Sequence, residues 1–248
     1  MAEREDKVPP SLDADETLAR TAVITGSVAV LCCVLVGVSD MLLLGQPVGG
    51  TLASELAIHE LFAGKELWHV LSGTTGALLI PLAGLGCWML TAGLRPFSAA
   101  YRAITGWALG ALFVVGPSVH ALFGGAGIAI VSTRGPDGEV PHSVITAAEA
   151  IHGQLIGPAF LLALGGLLLG SVLFSGAVAT GRTLYPRSMA LLCPLVLVLG
   201  ASFGTRLVPG PVGGYLFVAA IHLATPIFFG VPLAWWMRRA RAFRQGPA

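Results

Sequence analysis

Two short stretches carry the same spacing of an acid and an imidazole. Glu66-Leu67-Trp68-His69 and Glu149-Ala150-Ile151-His152 both read Glu-x-x-His. On a helix, residues i and i+3 share a face, so the carboxylate and imidazole of each pair can reach one point. Scattering this chain's glutamates and histidines at random would give fewer than one such pair. Asp40, His120, Arg206 and His222 are further ionisable residues that fall inside or at the mouth of apolar segments.

A Glu-x-x-His on each of two helices, with carboxylates from others, is similar to the ligand pattern of four-helix di-metal carboxylate proteins. Imidazole and carboxylate together suit a divalent transition metal: zinc, iron or manganese. Glu66, His69, His120, His152 and His222 are then the candidate ligands, with Asp40 as a further carboxylate. A second full pair of carboxylates is missing unless Glu55 or Glu60 folds back over the mouth. A single ion with an open position for water asks less of the chain. Water on such an ion hydrolyses an ester or amide. In type, though without their spaced His and Asp signatures, "VSD" at Val38 to Asp40 and the dispersed histidines are similar to multi-span zinc hydrolases of the alkaline ceramidase kind. Without metal, Asp40 or Glu149 is a candidate general acid for an isomerisation or cyclisation. Arg206, a permanent cation, and Tyr215, a hydroxyl donor, are candidates for binding the substrate's polar end.

These residues have to be positioned by elements built for oil. Of 248 residues 55% are hydrophobic and 11% charged, against about 25% charged in soluble proteins. Six runs approach or exceed the roughly 20 residues that cross a bilayer: Ala22 to Leu44, Trp68 to Leu94, Thr105 to Leu122, Ile151 to Leu173, Ser188 to Leu207 and Tyr215 to Met237. They are apolar all round instead of alternating, which excludes a barrel. The expectation is an all-α polytopic membrane protein: a polar tail at 1–21, one six-helix domain at 22–240 and a basic tail at 241–248. A net charge of +1 without a clustered basic surface excludes nucleic acid as a partner. Cys32, Cys33, Cys87 and Cys193 fall inside the runs and read as small core residues. The acidic start lacks the form of a signal peptide, so the first helix is expected to be retained.

Lys and Arg concentrate in cytoplasmic segments. Placing both termini inside puts all of them there except Lys65, Arg134 and Arg206. "TLASELAIHELFAGKE" reads as a short interfacial helix after the first span, and "STRGPDGEVPHS" as a turn-containing loop. The tryptophans, Tyr101 and Tyr185 read as interfacial anchors. Glycines four apart, at 106 and 110, 153 and 157, and 166 and 170, read as close helix packing, with a glycine-lined lipid cavity as the alternative.

In this topology the ionisable side chains share the outer half, and the inner halves hold no Asp, Glu, His or Lys. A charge at the bilayer centre costs about 2.5 to 3.5 kcal/mol on insertion scales, so such residues mark function. The expectation is an intramembrane enzyme of the cell membrane acting on a lipid or isoprenoid-like, apolar or amphipathic molecule. The chemistry is metal-dependent hydrolysis or acid-catalysed isomerisation. The alternatives are a proton-coupled carrier, a haem protein with axial histidines such as His69 and His152, and a structural subunit.

Overall fold

Asp40 lies on the most regular pattern in the first apolar run. Ala19, Ala22, Gly26, Ala29, Cys33, Val36 and Asp40 recur every three or four residues, and all are buried. The computed structural model describes residues 12–43, 66–208 and 220–245. Helix α1 (Leu12–Leu43) presents this narrow seam of small side chains to its neighbours. At Gly26 the backbone is covered directly by Met89 and Leu233.

The second run forms two pieces, α2 (Glu66–Ala83) and α3 (Leu85–Ala92). Pro81 has no N–H to continue the ladder. Gly84 closes the joint by donating to the carbonyls of Ile80 at 3.2 Å and Pro81 at 3.1 Å. Helix α4 (Ala99–Thr133) has 35 residues, about 52 Å at 1.5 Å per residue. It outruns the expected Thr105 to Leu122 at both ends, and beyond Leu122 the helix continues through Gly124 and Gly125. The loop after α4 turns at Gly138, whose φ of 84° favours glycine.

Helix α5 (His142–Ile151) runs through a five-residue π turn (His152–Ile156) into α6 (Gly157–Ala179). The missing N–H of Pro158 accounts for the wider turn just before it. A 3₁₀ turn (Arg187–Leu191) then precedes α7 (Pro194–Arg206). With 13 residues, or about 20 Å, α7 is shorter than the expected Ser188 to Leu207. Proline starts helices well and disfavours helix in the residue before it. Buried Ser171 of α6 accepts the N–H of Leu195 at 3.1 Å, one of the donors left open in the first turn of α7. Helix α8 (Ala220–Gln245) closes the described chain.

All regular structure among the described residues is helical. Four stretches are long and apolar enough to cross a membrane: Ala14–Met41, Val70–Ala92, Ala99–Ile130 and His142–Ala179. Their outer faces carry large apolar side chains, such as Leu78, Val114 and Leu162, exposed as a lipid-facing surface requires. Helix α1 packs along α8 and against α2 and α3, α2 packs along α4, and α4 along α6. Cys32, Cys33 and Cys87 are buried free thiols, as expected of core residues. The interfacial helix expected near residues 51–65 lies outside the described residues.

One end of the bundle is tied together by hydrogen bonds between connections. The Tyr185 hydroxyl donates to the Met89 carbonyl at 2.9 Å and accepts from Trp236 Nε1 at 3.0 Å. Leu184 N–H donates to the Gly93 carbonyl at 2.8 Å, and Gly93 has no side chain because the Tyr185 ring covers it. Burial pushes the Tyr185 phenol above its ordinary range, so it stays a neutral donor. Tyr185 and Trp236 are therefore core residues and not the interfacial anchors their type suggests, exposed by 2% and 0%. Nearby, Arg95 Nη1 donates to Asp15 Oδ1 at 2.6 Å. Tyr185→Phe strands the buried Trp236 N–H and should cost about 1–3 kcal/mol; thermal unfolding of the purified protein in detergent checks this, with Tyr101→Phe for comparison.

Candidate functional site

At the opposite end, Asp40 extends the buried seam of α1 and is 3% exposed. A carboxylate there needs donors, because burying a charge without partners is costly. Ser72 of α2, itself buried, donates its hydroxyl to Asp40 Oδ1 at 2.8 Å. His120 of α4 places Nε2 3.9 Å from Asp40 Oδ2. That separation is an ionic contact rather than a hydrogen bond, attractive when the imidazole is protonated.

The approach of α2 to α4 depends on two glycines. A Cβ at Gly73 would lie 2.7 Å from Gly124 Cα and 2.8 Å from the His120 carbonyl oxygen, so the two backbones touch. A Cβ at Gly76 would overlap the His120 ring, so the imidazole rests on the bare backbone of α2. Ser72, Gly73 and Gly76 belong to the stretch "SGTTG", one turn after His69. Sequence reasoning did not single them out. A cluster of small and polar residues beside the expected polar level was the available signal.

The other candidates divide by what is described. Glu66 and His69 lie in the first turn of α2, six and three residues before Ser72. Glu149 lies near the end of α5, His152 opens the π turn, Arg206 ends α7 and His222 is in the first turn of α8. The side chains of these six, and all of Tyr215, lie outside the described residues. Asp40 and His120 are the sequence candidates whose side chains are seen to meet, with Ser72 added. Among the described residues, no three His, Cys, Asp or Glu side chains gather as metal ligands.

Chemically, the three side chains join a carboxylate, an imidazole and a hydroxyl on three helices. Carboxylate and imidazole can exchange a proton with a bound molecule, and the serine fixes the rotamer of the carboxylate. A family model matches residues 17–239, which takes in the whole arrangement from α1 to α8. The chain belongs to DUF6796. This is described as a family of unknown function. No curated protein and no solved structure matches the chain. The site of this DUF6796 member therefore has to be read from its own chemistry.

Gly73→Ala forces α2 from α4 and should lower stability by about 1–3 kcal/mol. Gly125→Ala is the control, since its Cβ meets nothing within 4 Å. Melting in detergent should show a clear loss for the first and none for the second.

Proposed function

We propose that the chain is an intramembrane enzyme that acts on a lipid or isoprenoid-like molecule, with Asp40 and His120 as its acid–base pair and Ser72 as the residue positioning Asp40. The supporting observation is the buried carboxylate, bonded by Ser72 and faced by His120, at the end of otherwise apolar helices. Ionisable groups are expensive among such helices and are kept where they do chemistry. A polar pair at the end of apolar walls suits a substrate with one reactive polar end and a long apolar remainder.

The same reading takes six helices as spanning the cell membrane, with both termini cytoplasmic. The concentration of Lys and Arg in one set of connections supports it. The Asp40 site then opens toward the outer leaflet, with Glu149 as a second acid and Arg206 and Tyr215 at the substrate's polar end. A divalent metal would be held by Glu66, His69, His152 and His222 together with His120, and would supply hydrolysis through its bound water. Metal content of the purified protein separates this version from direct acid–base catalysis.

A second reading is a proton-coupled carrier, in which the facing Asp40 and His120 relay a proton. The run of apolar side chains in the arginine-end half weighs against it.

The test is to incubate the reconstituted protein with a total membrane lipid extract and follow product formation by mass spectrometry. Asp40→Asn and His120→Gln should each slow conversion about 100-fold or more while the proteins still elute as the wild type does. Conversion unaffected by either substitution would refute the assignment. Proton flux that requires Asp40, without any lipid converted, would establish the carrier instead.

A further inference from the structure

A lateral groove of about 820 Å³ runs along α2, α3 and α4, away from the Asp40 site. Trp88, Trp107 and Phe113 line it, and it extends from Pro81 and Pro117 to Arg95 and Arg102. Its volume is that of a site for a small amphipathic molecule. The glycines explain its depth. Gly166 and Gly170 of α6 are filled by Ala111 and by the Leu109 backbone, which is close packing. Gly106 and Gly110 are different: both line the groove, and a Cβ at Gly110 meets nothing within 4 Å.

The arginines give the groove a polar end. Arg95 is engaged by Asp15. The Nε of Arg102 is buried and has no hydrogen-bond partner among the described residues. A buried N–H of a cation left without an acceptor is unfavourable. Arg102 as a whole is only half-buried and lines the groove, so the rest of its guanidinium is placed to meet an anionic oxygen there, and a guanidinium matches phosphate geometry well. Arg102 also lies at the end of the bundle that gathers the other arginine-rich connections.

We propose that this groove is a binding site for an anionic phospholipid from the leaflet at the arginine-rich end. The phosphate accepts from Arg102 beside Arg95, and one acyl chain lies over Gly110 between Trp107 and Phe113. Charge complementarity selects the occupant: a cation at the headgroup level, continuous with an apolar trough, fits an anionic lipid better than a neutral one. This site stands apart from the Asp40 reading and does not depend on it.

Native mass spectrometry of the detergent-purified full chain, titrated with phosphatidylglycerol or phosphatidylcholine, tests the proposal. Phosphatidylglycerol should bind about tenfold more tightly, and Arg102→Gln should remove that preference. Gly110→Leu, which projects into open space, should weaken both lipids about tenfold with an unchanged melting temperature. Equal affinity of the wild type for the two lipids would overturn the proposal. So would phosphatidylglycerol binding that survives Gly110→Leu but is displaced by inorganic phosphate, the mark of a simple anion site.

Discussion

A carboxylate sealed among apolar helices is the constraint around which one end of this bundle is organised. Asp40 is 3% exposed, and its oxygens are faced by Ser72 and His120. Serving them requires α1, α2 and α4 to converge at one level. Convergence in turn requires the bare backbone of Gly73 and Gly76, since any side chain there would meet Gly124 or the His120 ring. The small-residue seam of α1 delivers Asp40 to that point by simple helical spacing. One polar contact thus accounts for glycines that would otherwise be unremarkable features of a membrane helix.

Prolines shape the remainder. Pro81 and Gly84 divide the second span, Pro158 follows the π turn that begins at His152, and Pro194 starts α7 late. Each irregularity has an identifiable neighbour: the groove at Gly84, His152 at the start of the π turn, the Ser171 contact at Leu195. Away from Asp40, the Tyr185–Trp236–Met89 hydrogen bonds hold α3, α8 and the connection after α6 in register. The two ends are built differently, one on a carboxyl group with its hydroxyl donor and a facing imidazole, the other on buried aromatic hydroxyl and indole groups.

Much of this was legible from residue types. Apolar runs predicted an all-helical chain, and the rarity of Asp and His within them picked out Asp40 and His120. Ser72, Gly73 and Gly76 were not legible, because serine and glycine are ordinary in such helices and their value arises only when a second backbone arrives. The aromatic residues misled for a related reason: residue type gives amphipathicity but not facing, and Trp236 faces the core. The third run reads as ending at Leu122, whereas α4 continues to Thr133, with Gly124 against the backbone of α2. The spaced glycine pairs had two meanings, and the fold uses both, packing at Gly166 and Gly170 and an open trough at Gly110. Membership of DUF6796 extends over the same helices and adds no chemistry to them.

The coupling between Asp40 and Ser72 is the most direct measure of the central contact. In a double-mutant cycle of Asp40→Leu and Ser72→Ala, followed by unfolding in detergent, a buried hydrogen-bonded pair gives an interaction energy of about 1 kcal/mol or more. Substitution effects that add within about 0.3–0.5 kcal/mol would contradict the account, because the two side chains would then not share a contact.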